Sequence, residues 1–224
     1  LGLTATPRST SLYTVAYSKT FWDLVNDGHL ARPEVREPVR TGVRWRPTFR
    51  GGSDDVSAAS LRELARDKRR NRMIVEHYAS CVKQYGKTIF FACNIEHANE
   101  LVRLLVASGF AARPIHSGQS EAENQQALVG FRSGAVTVLV NVEQLTHGID
   151  VPDAMTVFLC RPTTSDILFA QMVGRAARQD ESSGKTTFNI VEFTDNVTAH
   201  GELLRSAQQY FTGAGGGAEQ RSAD

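Results

Sequence analysis

No apolar run in the 224 residues approaches the roughly 20 residues of a membrane span, and no amino-terminal stretch has the build of an export signal. Cysteine is scarce. Cys81, Cys93 and Cys160 are far apart, odd in number and without a C-x-x-C pair. Neither a disulfide framework nor thiolate zinc is expected, and a cytoplasmic, reducing location fits. Charge of one sign is lacking as well: at a net +1 any nucleic-acid surface has to be a local patch. A phosphate-cradling Gly-x-x-x-x-Gly-Lys-Ser/Thr loop is also missing. Gly86-Lys87-Thr88 has Cys81 where the first glycine belongs, and Gly184-Lys185-Thr186 has Gln179 there; both lead into strands. No apolar strand ends on an Asp-Glu pair able to hold magnesium, since Asp180-Glu181 follows a helix. No metal ligand is therefore assigned.

A hydrophobic content of 41% and a charged content of 22% are ordinary for a globular domain. The chain opens on Leu1-Gly2-Leu3-Thr4-Ala5-Thr6-Pro7, which reads as the end of a buried strand turned by Pro7, as in a fragment. A short amphipathic helix is expected over 18–28, stopped by Gly28. Residues 33–47 are proline-interrupted and loosely alternating, with Val35, Val39 and Val43, as a connector feeding an edge strand would be. Helical spacing runs from Ser57 to about Tyr85, with Lys68, Arg69, Arg70 and Arg72 read as a solvated face.

Then the pattern becomes regular. Strands are expected at 88–93, 112–115, 136–140, 155–160 and 187–193. A helix over 95–108 starts at the N-cap Asn94 and ends at Gly109, and another starts at the Ser120/Glu123 capping box and ends at Gly134. Alternation at this rhythm predicts an α/β fold, a parallel sheet with helices on both faces. A last helix is expected near 198–211, before a glycine-rich tail.

Two stretches carry candidate chemistry. Gln171-Met172-Val173-Gly174-Arg175-Ala176-Ala177-Arg178 sets two arginines three apart on an apolar helix, where i and i+3 share a face. Paired guanidinium forks can hold phosphate oxygens; alternatively they are solvated cations at a helix end, which suits the macrodipole. Thr146-His147-Gly148-Ile149-Asp150-Val151-Pro152 offers a glycine for close backbone approach and a carboxylate able to accept from a ribose hydroxyl, or else a plain turn before a proline.

Together, Thr-x-Gly-x-Asp-x-Pro followed by Gln-x-x-Gly-Arg-x-x-Arg resembles the fifth and sixth motifs of superfamily 2 helicases and translocases. The likeness extends over Thr88 to Asn94 and His116-Ser117-Gly118, covering roughly 85–195, and Thr4-Ala5-Thr6-Pro7 resembles the third motif. Arg161-Pro162-x-x-Ser165 is similar to the branch of type I and III restriction motors and XPB-like DNA helicases. Val142-Glu143 and Gln171 to Arg175 depart from the DEAD-box RNA pattern, so DNA is favoured over RNA. The resemblance implies a RecA-like second motor lobe. Arg175 and Arg178 would be arginine fingers on ATP, with Gln171 positioning the phosphate and Gly148 and Asp150 near the ribose. Asn94, His116, Ser117 and Thr146, at the opposite rim, would touch the nucleic-acid backbone, and Thr4 and Thr6 would couple hydrolysis to strand binding. For His116 a strand-end histidine bonded to a nearby carbonyl is the other reading.

The organisation expected is the end of a first lobe at 1–7, a connector and edge strand at 8–55, the helicase lobe at 56–211 and a disordered tail at 212–224. ATP and Mg2+ would be bound mainly by a missing first lobe, leaving this chain inactive alone. A RecA-like module that only docks nucleic acid or protein is the alternative; a dinucleotide enzyme would need a glycine-rich first turn that is absent.

Overall fold

A computed structural model of the chain describes residues 19–49, 55–143, 151–179, 184–197 and 204–212. The central strands are short buried runs, the two edge strands carry exposed charges, and the helices between them start at side-chain caps. Helix α1 (Phe21–Asn26) is opened by a Thr20/Asp23 capping box and followed by Gly28 at φ +76°. Strand β1 (Arg32–Val35) comes next.

The helical stretch expected from Ser57 to Tyr85 is two helices, α2 (Ala58–Ala65) and α3 (Lys68–Tyr85). The apolar spacing runs through the break, but the Asp67 carboxylate accepts from Arg70 N at 2.8 Å and caps a new helix. Then follow β2 (Thr88–Phe91), α4 (Ile95–Ala107), β3 (Ala112–Ile115), α5 (Glu121–Ser133), β4 (Val138–Asn141), β5 (Thr156–Leu159), α6 (Asp166–Ala177) and β6 (Thr187–Val191). Asn94 caps α4, Ser120 and Glu123 form the box on α5, and Gly134 closes α5 in the left-handed conformation.

Of the helix expected near 198–211, residues 198–203 lie outside the described residues and 204–206 are not helical. Helix α7 (Thr194–Val197) directly follows β6, and α8 (Ala207–Thr212) is a separate short helix, begun where Glu192 Oε2 accepts from Ala207 N at 2.9 Å.

The six strands form one parallel sheet in the order β1-β6-β5-β2-β4-β3. The prolines inside strands, Pro33 and Pro114, fall on the two edge strands β1 and β3, where a missing N–H costs least. Successive residues of each central strand enter opposite faces. Ile89, Phe91, Leu139, Val157 and Leu159 join one core with α5 and α6. Phe90, Val138, Val140 and Phe158 join the other with α3 and α4, where the Phe90 and Phe158 rings stack at 4.4 Å. The three cysteines are free, and among the described residues no helix is long and apolar enough to cross a membrane.

In a parallel sheet every strand ends on the same edge. Asn94, His116 and Ser117 therefore follow β2 and β3 at the carboxyl edge, while α6 starts there and runs back to the amino edge.

Candidate nucleotide and nucleic-acid site

Ser165 caps α6 by accepting from Leu168 N at 3.3 Å. The loop before it is tied by Asp55, whose carboxylate accepts from Thr163 Oγ1 at 2.9 Å and Thr164 N at 3.2 Å and pairs with Arg161 at 3.1 Å. The helix buries Phe169, Met172, Val173, Ala176 and Ala177, leaving Gln171, Gly174 and Arg175 half-buried along the stripe turned from the core. A Cβ at Gly174 would meet nothing within 4 Å among the described residues. Glycine in a helix interior costs about 1 kcal/mol relative to alanine, so packing within this lobe gives no reason for it, and it leaves bare backbone between Gln171 and Arg175.

Arg178 departs from the helical expectation. The helix ends at Ala177, and Arg178 is extended (φ −65°, ψ 138°) and bridges antiparallel to Leu30, while Ala31 N donates to Ala177 O at 2.6 Å. Pairing with the chain just ahead of β1 stops the helix, so the register linking Gln171, Gly174 and Arg175 does not extend to Arg178. This places the end of the arginine helix at the amino edge of the sheet.

The two lysines of the Gly-Lys-Thr triplets meet at that same edge. Lys185, only 4% exposed, donates to Pro152 O at 2.8 Å and Ala154 O at 2.5 Å. Lys87 pairs with Asp153, donates to Arg132 O and lies over the Phe131 ring. They anchor the segment that leaves the Thr146–Pro152 motif and enters β5. Thr146, Gly148 and Asp150 themselves, and Thr4 and Thr6, lie outside the described residues.

At the carboxyl edge, Asn94 Oδ1 accepts from His97 N at 2.8 Å. His97 is buried and supports it from below. Its Nδ1 accepts from Cys93 N at 3.1 Å, so Nε2 carries the proton and donates to Asn71 Oδ1 at 3.0 Å, and Asn71 in turn donates to Ala65 O. Burial, then the nearby Arg70 charge, push this imidazole well below its ordinary pKa, so it is neutral.

His116 is also buried. Nδ1 accepts from Gly118 N at 3.2 Å and Nε2 donates to Asn99 Oδ1 at 3.1 Å, while Asn124 holds its backbone on both sides. The partner is a side-chain carbonyl, and desolvation lowers the pKa. With both ring nitrogens engaged, His116 shapes the turn that carries exposed Ser117.

Arg70, which the sequence pattern places on a solvated face, is instead fully buried. It donates to Asp195 Oδ2 at 2.6 Å and Cys160 O at 2.8 Å, and stacks on Phe193 at 5.6 Å. Its position four before Ile74 and eight before Tyr78, on the apolar face of α3, was the available signal. Asn71, His97, Asn99 and Asp55 carried no motif. Among the described residues no three His, Cys, Asp or Glu side chains could hold a metal ion.

Comparison with known proteins bears on this arrangement. Residues 69–180 match the family model described as the helicase conserved C-terminal domain. IRC3 of Saccharomyces cerevisiae, named as an ATP-dependent helicase, is 30% identical over 143 residues, which is 63% of this chain and 20% of that protein. The ATP-dependent RNA helicase DBP3 of Eremothecium gossypii is 24% identical over 172 residues, or 76% of the chain and 31% of its own length. Among solved structures, a fragment assigned to the HsdR subunit of a type I restriction enzyme from Vibrio vulnificus YJ016 overlays 92% of the chain and 38% of its own at a TM-score of 0.67, with 25% identity. The chain thus spans a fifth to a third of these curated relatives. Match, sheet and motif order agree: the chain belongs to the helicase conserved C-terminal domain family, as the RecA-like carboxyl-terminal lobe of a superfamily 2 helicase.

Proposed function

We propose that this lobe supplies half of the ATP site and one rim of the nucleic-acid track of an ATP-dependent DNA helicase or translocase. The observation that carries the reading is the separation of two clusters on one sheet. The stripe of Gln171, Gly174 and Arg175, with Arg178 beyond it, ends at the amino edge, and the Asn94 cap and the His116–Ser117 turn lie at the carboxyl edge.

The residues at the amino edge suit a triphosphate: two guanidinium groups, an amide and a bare stretch of helix backbone. Arg175 and Arg178 act as fingers on the γ-phosphate and Gln171 positions it, with Gly148 and Asp150 beside the ribose. ATP supplies the phosphoryl group, and its Mg2+ would neutralise charge on the transferring oxygens; a first lobe holds most of both, and Thr4 and Thr6 of that lobe's end couple the sites. Asn94, Ser117 and Thr146 touch the strand backbone, with His116 as the strut behind Ser117. Backbone contacts carry no base information, which fits a motor running along any sequence.

DNA is favoured over RNA by Arg161-Pro162-x-x-Ser165 and by the overlay on a restriction-enzyme fragment; the RNA helicase among the relatives makes RNA the second track to assay. The three free thiols fit a reducing compartment, the cytoplasm in this reading.

Without a P-loop the chain alone should hydrolyse no ATP above background. In the intact protein with its first lobe, Arg175→Ala and Arg178→Ala should each lower DNA-stimulated turnover by roughly 10³ to 10⁵, about 4 to 7 kcal/mol of barrier, with little rescue by lysine. Unchanged hydrolysis in both variants would reject the assignment, and lost hydrolysis with a collapsed melting temperature would make the arginines structural.

A further inference from the structure

Residues 32–50 carry six arginines, two glutamates and no lysine, a surplus of four positive charges in a chain whose total is +1. All six arginines occupy even positions. Beyond β1 the segment crosses the carboxyl edge as a strap: Val39 N donates to Glu192 O at 2.8 Å, Thr194 N to Val39 O at 2.9 Å, Thr41 N to Thr194 Oγ1 at 3.3 Å, and Trp45 Nε1 to Ser60 O at 3.2 Å.

Burial alternates strictly along it. Val39, Thr41, Val43, Trp45 and Pro47 are turned inward, and Arg40, Gly42, Arg44 and Arg46 are exposed. Val39 packs on the core under α3 and α4. Val43 and Trp45 pack in the cluster containing Cys93, the residue before Asn94. The Arg69 guanidinium joins the row, 3.7 Å from where a Cβ would sit on Gly42.

Among the described residues no carboxylate pairs with Arg40, Arg44, Arg46 or Arg69. Three nearby acids are engaged elsewhere: Asp67 caps α3, Asp195 holds Arg70 and Asp55 holds Arg161; Glu37, three residues before Arg40, is exposed and forms no ion pair among the described residues.

We infer that this arginine row is a phosphate-binding rail that extends the nucleic-acid track past the Asn94 and Ser117 turns. A fixed strap with outward guanidinium forks, paired to no carboxylate among the described residues and on the edge where those turns lie, fits a polyphosphate backbone. The rail rests on the proposed reading of the carboxyl edge as a nucleic-acid rim.

The experiment is a salt titration of the full chain with mixed-sequence single- and double-stranded DNA and RNA, read by fluorescence anisotropy between 50 and 200 mM salt. Each arginine withdrawn from a phosphate should remove roughly 0.7 to 0.9 from the slope of log K against log salt. R40Q/R44Q/R46Q should therefore flatten the slope by about 2 and weaken all sequences alike with the melting temperature unchanged, and the triple lysine variant should keep most of the slope.

A wild-type chain that binds while the glutamine variant keeps the full slope would overturn the rail, assign the row to a protein face and leave the rim reading standing. A wild-type chain that binds no strand at 50 mM salt would overturn both. Amide exchange of residues 39–46 in the wild-type chain decides the case if the variants misfold: slowing by saturating strand supports the rail and unchanged exchange overturns it.

Discussion

Glu192 provides a test of the fold that is independent of any ligand. It follows β6 on the carboxyl edge, is 2% exposed, and accepts from Ala207 N at 2.9 Å at the start of α8. Burial raises its pKa from an ordinary 4.5 to about 7, the Ala207 hydrogen bond opposing the shift. A carboxyl whose folded pKa is raised binds its proton more tightly in the native state. Its contribution to stability is therefore complete below pH 4.5 and is lost as pH rises through 7. The rise corresponds to an upper limit on the order of 3 kcal/mol.

Glu192→Gln keeps an acceptor for Ala207 and removes the ionisation. Relative to wild type it should be near neutral at pH 4.5 and more stable by up to about 3 kcal/mol at pH 8. At roughly 2 to 4 °C per kcal/mol for a chain of this size, the rise in melting temperature would reach about 10 °C. His97 and His116, whose pKa values are depressed, lose stability in the opposite direction as pH falls; both remain in the variant, so the difference between the two proteins isolates Glu192. Thermal unfolding of both chains from pH 4.5 to 8.5 is the assay. A difference that stays flat with pH, or grows toward acid, would refute the account of a protonated buried carboxyl.

Two further perturbations follow from buried or bare positions. Arg70→Met should cost about 3 to 5 kcal/mol in denaturant unfolding, because it strands the buried Asp195 charge; Arg70→Met combined with Asp195→Leu should recover much of that, and a double variant no better than the single would show that the pair is not the source. Gly174→Ala should leave the fold unchanged or up to about 1 kcal/mol more stable while lowering ATP turnover of the intact protein at least tenfold, since its methyl would stand where the backbone is bare; full turnover would remove Gly174 from the nucleotide face.

What could be read in the sequence was decided within a few residues. The Asn94 cap, the Ser120/Glu123 box and the glycine stop at 134 are contacts between neighbours in the chain, and the structure keeps them. The buried runs at β2, β4 and β5 announced strands covered on both faces because no polar alternation interrupts them. Features that needed a distant partner were not legible. The end of α6 depends on Leu30, nearly 150 residues earlier. Arg70 lies within a run of basic residues that resembles a solvated face; its place on the apolar side of α3 hinted at burial, but the partners that make burial tolerable, Asp195, 125 residues later, and Cys160 O, could not be read from the sequence.

The strap shows the same limit in reverse. Its loose alternation was visible through Val35, Val39 and Val43, but its value as a surface depended on which sheet edge the chain would cross, and that was fixed by pairing of Val39 with Phe193. The two Gly-Lys-Thr lysines lie just ahead of β2 and β6, at the amino edge. Neither triplet has the glycine spacing of a phosphate loop, and the structure engages both lysines elsewhere. Lys87 and Lys185 hold residues 152–154, just ahead of β5. A lysine that has surrendered its donors to backbone carbonyls and a carboxylate has few left for a triphosphate. In the function proposed above, the positive charge offered to nucleotide at the amino edge is that of Arg175 and Arg178.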